Sequence, residues 1–265
     1  MELLGLVLLL VTGAMAQDIP RILRGFQCRE HSQPWVAALF DGVRFRCTGT
    51  LIHNQWVVTA ARCNTGRTLN VRLGEHNLWH LDWSEQLTMS SRLIPHPLYN
   101  SSTSQNNIML VKLLVPANTN GEVKPLPLPR NCPRPDSTCV LSGWGSSTFQ
   151  KGHKSPDQSH CTHQLLHSDV LLCGNITVLP DTECQVTHPN RITPNMICAG
   201  VIHGGTDSCQ VRDMWGDTGS PLVCQRELQG VASWGFEECS HPNRTGVFVK
   251  VCNYINWLRE TMRTG

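Results

Sequence analysis

The residues of this chain that could act as a nucleophile stand in the run Gly216-Asp217-Thr218-Gly219-Ser220-Pro221-Leu222. Thr218 and Ser220 supply hydroxyls. An alkyl hydroxyl attacks a carbonyl only when a neighbouring base takes its proton, and neither a His nor an N-terminal amine is evident beside Thr218. Ser220 likewise has no base in view. Arg62, at the end of Trp56-Val-Val-Thr-Ala-Ala-Arg-Cys63, cannot be that base, because a guanidinium stays protonated at any working pH. By residue type it reads as a solvated surface cation. Asn107, in Asn106-Asn107-Ile108-Met109-Leu110, carries an amide that can hydrogen-bond but cannot stabilise an imidazolium. A second cluster joins Cys161 to His160, His163 and His167. Thiolate and imidazole suit zinc, but the spacing is irregular and the setting is a loop, so no metal or cofactor is expected. Cys161 reads as a free or intermolecular thiol.

These side chains are spread over more than half the chain, so many short elements must bring them together. Runs such as Trp35-Val-Ala-Ala-Leu-Phe40 and Cys47-Thr-Gly-Thr-Leu-Ile52 are apolar and β-branched, and turn residues at Asp41-Gly42 and His53-Asn54 separate them. They predict an all-β protein. With 265 residues and 40% hydrophobic content the chain can bury a substantial core. Val251, Ile255, Leu258 and Met262 recur at helical spacing, which predicts a terminal amphipathic helix packed on the second half. The proline-rich Pro125-Leu-Pro-Leu-Pro129 reads as a connection between two units. Residues Ser146 to Leu172, rich in Ser, Gly, Pro and His, read as a long mobile surface loop.

Compartment follows from the N-terminus and the cysteines. Leu3 to Val11 form an apolar run too short for a bilayer, followed by Ala14-Met15-Ala16, which suits signal-peptide cleavage after Ala16. Thirteen cysteines without paired zinc-ribbon spacing fit an oxidising space. The reading is a secreted, extracellular protein with no membrane span. Asn100, Asn175 and Asn243 begin Asn-X-Ser/Thr sequons that could carry glycans. A net charge of +2 and no basic run exclude nucleic acid as an expected partner.

The motifs already quoted, with Val71-Arg-Leu-Gly-Glu-His-Asn-Leu-Trp79, Ile94-Pro-His-Pro-Leu-Tyr99, Cys139-Val-Leu-Ser-Gly-Trp-Gly145 and Leu228-Gln-Gly-Val-Ala-Ser-Trp-Gly235, resemble the trypsin-like serine proteases, in particular their tissue kallikrein group. The resemblance extends over essentially the whole mature chain. It implies two six-stranded antiparallel β-barrels with a C-terminal α-helix. It also implies residues 1–16 as signal, 17–21 as propeptide and 22–265 as the protease-like domain. Cleavage after Arg21 would free the Ile22 amine to pair with Asp217, although Arg24 stands where the family carries Gly.

In the family the motif around Arg62 reads Thr-Ala-Ala-His-Cys, that around Asn107 reads Asn-Asp-Ile-Met-Leu, and a Ser stands at Thr218. The resemblance therefore implies a degenerate triad, Arg62, Asn107 and Thr218. The oxyanion remnant would be the backbone N–H groups of Gly216 and Thr218, next to an insertion, Val211 to Trp215, that the family lacks. Asp207 would lie at the base of a pocket walled by Ser233, Trp234, Gly235 and Gly246, favouring Arg or Lys side chains by charge pairing. His76 and His96 would carry structure. Six disulfides are implied: Cys28–Cys173, Cys47–Cys63, Cys132–Cys252, Cys139–Cys224, Cys184–Cys198 and Cys209–Cys239, with Cys161 left over for an intermolecular bond. Losing triad members leaves only weak residual catalysis. The expected function is a secreted, inactive homologue that binds peptides, protease inhibitors or other secreted proteins, or acts as a decoy. The alternative is a trypsin-like endopeptidase cutting after Arg or Lys.

Overall fold

The structure, a computed structural model, describes residues 26–81, 83–148, 165–200, 218–235 and 245–265. After the two-residue strand β1 (Phe26–Gln27), six strands form the first closed barrel: β2 (Val36–Asp41), β3 (Arg44–His53), β4 (Trp56–Thr59), β5 (Asn70–Leu73), β6 (Gln86–Pro95) and β7 (Met109–Leu113). The order around it is β2-β3-β4-β7-β6-β5, and antiparallel pairing of β2 with β5 closes the ring. The two turns read from the sequence are where they were expected, with Gly42 at φ +61° between β2 and β3. Leu39, Leu51, Val57, Val71, Leu73, Leu110 and Leu113 fill the interior with no exposure at all. Closure removes the sheet edges that would otherwise template aggregation.

The second barrel is built from β8 (Thr138–Gly143), then, past the hairpin strands β9 (Ser146–Thr148) and β10 (Leu165–His167), from β11 (Leu172–Val178), β12 (Met196–Gly200), β13 (Pro221–Cys224), β14 (Glu227–Trp234) and β15 (Thr245–Lys250). Its order is β8-β11-β12-β15-β14-β13, with β13 pairing back to β8, while β1 adds to the edge of β11. Cys139, Leu141, Ile176, Ile197, Leu222, Ala232 and Phe248 form its core. Two helices complete the chain, α1 (Asp181–Thr187) and α2 (Ile255–Thr264), the second preceded by a 3-10 turn at Val251–Tyr254. The all-β double barrel with a terminal helix is thus as expected.

Three local expectations need correction. The stretch from Ser146 onward is not loop throughout: β9 pairs antiparallel with β10, and Leu171 and Leu172 are 3% exposed at the start of β11, because β8 offers β11 a six-residue ladder. Helix α2 does not rest on the second barrel alone. Leu258 is buried in the same cluster as Leu51, Trp56 and Val57 of the first barrel, and Lys112 Nζ donates to the Gly265 carbonyl at 2.7 Å. The helix therefore straddles the two barrels. Arg62 is not a solvated cation, for reasons given with the site below.

The connection from β7 to β8 is extended, as the prolines suggested, and it runs as a strap over both units. Leu126 N–H donates to Leu51 O of the first barrel at 2.8 Å, while Pro127 O accepts from Leu228 N–H of the second at 3.0 Å. Five of the six implied disulfides form: Cys28–Cys173, Cys47–Cys63, Cys132–Cys252, Cys139–Cys224 and Cys184–Cys198. Three of them close loops of 85 residues or more, which restricts the unfolded chain most. The sixth implied pair, Cys209 with Cys239, lies outside the described residues. So do Cys161 and the segments 1–16 and 17–21. Among the described residues, no helix is long and apolar enough to cross a membrane.

Candidate active-site cleft

Strand β4 ends at Thr59 and the chain turns through one 3-10 turn, Ala61–Cys63, which sets Arg62 between two buried neighbours. The backbone N–H of Arg62 donates to Asn107 Oδ1 at 2.9 Å. Asn107 sits just before β7 with no solvent exposure, and its Nδ2 donates to Ser233 Oγ at 2.8 Å. Ser233 is the penultimate residue of β14, so this one amide joins the first barrel to the second. Both ends of the amide are satisfied, as a fully buried polar group requires. Asn107 thus acts as a strut between the barrels.

The guanidinium of Arg62 is half-buried and its Nη2 donates to Ser104 Oγ at 3.0 Å. The expectation of a solvated side chain fails because the loop before Asn107 folds over it. Ser104 and Asn106 in that loop adopt left-handed φ of 56° and 52°, and Asn106 Oδ1 accepts from Tyr254 Oη–H at 2.7 Å. Burial pushes the Tyr254 phenol up to about 12. Arg46, in β3, donates from Nη2 to the Arg62 carbonyl at 3.4 Å.

Thr218 is 8% exposed and meets the first barrel through its backbone, its carbonyl accepting from Thr48 N–H at 3.1 Å. Thr48 O in turn accepts from Thr59 Oγ1 at 2.7 Å. Gly219 follows with φ +88°, and a Cβ there would collide with Thr48 O and Thr59 Oγ1, so only glycine fits this approach of the two barrels. Ser220 is fully buried and its Oγ has no hydrogen-bond partner among the described residues. The structure therefore gathers Arg62 and Asn107 into direct contact, and bonds Thr218 to Thr48, the residue after Cys47, whose disulfide partner Cys63 follows Arg62. No imidazole stands among these contacts.

Of the implied pocket, Ser233 and Trp234 lie in β14, Gly235 follows at φ +99°, and Gly246 in β15 pairs with Ala199. The Trp234 ring has the Arg191 guanidinium 4.1 Å from its centroid and the His188 ring edge-on at 5.0 Å. His188 Nε2 is 2.9 Å from Thr245 Oγ1, so one side chain braces both walls. Burial holds the His188 pKa below the usual histidine range, a bond to Thr245 opposes this, and the Arg191 charge adds to the lowering. Sequence reasoning missed Ser104, His188 and Arg191. Ser104 lies in a Ser/Thr-rich run with no pattern to distinguish it, and the other two touch the wall only through the fold.

Asp207, Gly216, Asp217, Arg21, Ile22 and the segment Val211 to Trp215 lie outside the described residues. So does the sequon residue Asn243. Asn100 and Asn175 are both exposed, as a glycan acceptor must be. His76 and His96 carry structure: His76 Nε2 contacts Gln27 at 3.0 Å, and His96 packs edge-on against Tyr254 and Trp257. No group of three or more potential metal ligands occurs among the described residues.

Two closed barrels, which meet through Asn107 and Ser233 and through Thr48 and Thr218, and a terminal helix define the trypsin-like class, and the comparisons agree. The trypsin family pattern matches residues 22–258, and the chain belongs to the trypsin family. It is 44% identical to human (Homo sapiens) kallikrein-15 over 255 residues, covering 96% of each chain, and 42% identical to pig (Sus scrofa) trypsin over 92% of this chain and 97% of that one. The solved structure of neuropsin, a serine protease of mouse brain, superposes with a TM-score of 0.76 at 39% identity, covering 91% of this chain and all of that one. Within the family, this chain falls in the kallikrein group.

Proposed function

We propose that this protein is a secreted, catalytically inactive member of its family that keeps the cleft as a binding surface for polypeptides. One observation carries the reading. Where the family places a general base and the carboxylate that orients it, this chain has a guanidinium bound to Ser104 and an amide occupied at both ends, by Arg62 N–H and Ser233 Oγ. A group that is always protonated cannot take the Thr218 proton, and an amide already used as a strut cannot orient another base. The pocket walls Ser233, Trp234 and Gly246 remain ordered strand residues, which supports retention of a cleft. Secretion is supported by the N-terminal apolar run, the five disulfides and the family. Asn100 and Asn175 are the expected glycan sites among the described residues.

The test is a paired assay on protein cut after Arg21 and verified by N-terminal sequencing. Hydrolysis of an Arg-peptide substrate is followed alongside equilibrium binding of benzamidine, a small cation suited to an Asp-based pocket. No turnover with saturable benzamidine binding, abolished by Asp207→Asn, is the expected result. Turnover that co-purifies with the protein and disappears on Thr218→Ala would overturn the reading in favour of a trypsin-like endopeptidase.

A further inference from the structure

We propose that Arg62 and Arg46 together form a carboxylate-binding site in the cleft, which receives an acidic side chain of the bound polypeptide. The inference rests on the reading that the cleft binds polypeptide without cutting it, and adds the chemistry of what it selects.

The two arginines immediately precede Cys63 and Cys47, which are joined by a disulfide with Cα atoms 6.1 Å apart. That bond holds the two segments side by side whatever the loops around them do. Arg46 Nη2 reaches the Arg62 carbonyl at 3.4 Å, and Arg62 Nη2 reaches Ser104 Oγ at 3.0 Å. Both side chains are half-buried, and the Arg46 Nε is fully enclosed with no hydrogen-bond partner. Each guanidinium has five N–H donors, so most of the donors on the pair are uncommitted. The ion pairs among the described residues, Arg72–Glu75, Arg130–Glu227 and Arg263–Glu260, involve neither of them.

Among the described residues neither cation has a counter-charge, and half-burial costs each of them hydration. Arg46 reaches the backbone of Arg62, so the two side chains leave neighbouring points of the chain, and planar guanidinium forks match a carboxylate bidentately. The pair also lies in the right place. Thr48, one residue past Cys47, donates its N–H to Thr218 O, so the cations flank the position of the lost nucleophile. A polypeptide lying across Thr218 would bring a neighbouring residue to them. A single carboxylate, not a polyanion, is the favoured occupant, because the chain carries a net charge of only +2. The family's imidazole at position 62 could not supply this constant charge at neutral pH. Replacing it by arginine thus exchanges catalysis for selection of an acidic neighbour.

The experiment measures binding of two fluorescent, N-acetylated and C-amidated hexapeptides, identical except that the residue after a central Arg is Asp in one and Asn in the other. The protein is the full secreted chain cut after Arg21, compared with Arg62→Gln and Arg46→Gln, with thermal melts to verify folding. The Asp peptide should bind at least about tenfold more tightly, since hydrogen bonds to charged groups contribute most when partly buried. Arg62→Gln should remove most of that preference, read as the ratio of the Asp-peptide to the Asn-peptide affinity. Equal binding of the two peptides by the parent protein overturns the carboxylate site while leaving the binding cleft intact. If neither peptide binds, acetate titrated onto nitrogen-15-labelled protein decides separately. A saturable shift of the Arg62 and Arg46 Nε resonances sustains the anion site and discards the peptide reading, and no shift overturns both.

Discussion

Replacing Asn107 by leucine isolates the amide strut that joins the two barrels. The side chain has no exposure and its partner Ser233 is 3% exposed, so no water can stand in for the lost amide. Asn107→Leu leaves two groups unpaired, the Arg62 N–H that now donates at 2.9 Å and the Ser233 Oγ that now accepts at 2.8 Å. Each buried group left without a partner costs about 1–3 kcal/mol. The similar-sized apolar side chain offsets roughly 1 kcal/mol of that. A net loss of about 3 kcal/mol, at roughly 2–4 °C per kcal/mol for a domain of this size, lowers Tm by about 6–12 °C. Calorimetry under non-reducing conditions reads the shift, and a double-mutant cycle with Ser233→Ala reads the coupling, expected at about 1–2 kcal/mol. Asn107→Asp should keep most of the stability, because a carboxylate accepts from Arg62 N–H and, after the hydroxyl rotates, from Ser233. A leucine variant melting within about 2 °C of its parent, with no coupling to Ser233, would refute the strut.

Other expectations follow from the same contacts. Gly219→Ala combines a left-handed φ of 88° with a collision against Thr48 O and Thr59 Oγ1, and should fail to secrete or should lose well over about 2 kcal/mol, read by yield and melting. The chain has only two tyrosines, so alkaline spectrophotometric titration can assign Tyr254, which should ionise near 12 and vanish from the curve in Tyr254→Phe. Because its folded pKa is raised, the stability it contributes is complete below about pH 10 and is lost as pH climbs through the folded value. His188 has the opposite linkage. Its folded pKa is lowered, so the folded protein binds fewer protons than the unfolded chain, and stability present above about pH 6.5 declines as pH falls below it. Acid denaturation should be less steep in His188→Gln, and an unchanged slope would show that the brace on Trp234 and Thr245 is not titrating.

The sequence by itself determined the architecture and the residue types at positions 62, 107 and 218. Alternating apolar residues and turn signals specify strands locally, and which residue type stands at 62, 107 and 218 is independent of coordinates. Arginine cannot accept a proton in any fold. The five disulfides among the described residues were also legible through the family pattern, as was the terminal helix from its period. Only the tertiary structure decided what the altered residues now do. Arg62 looked like a surface cation because residue type carries no information on burial, which here comes from a loop with left-handed Ser104 and Asn106 folding over it. Asn107 looked idle because its second partner, Ser233, is 126 residues away and belongs to the other barrel. The contact of Arg46 with Arg62 needed the same three-dimensional closure, since a disulfide spanning 16 residues brings the Arg46 side chain to the Arg62 backbone. Local propensity acts over a few residues, whereas burial, pairing and charge balance are properties of the packed whole.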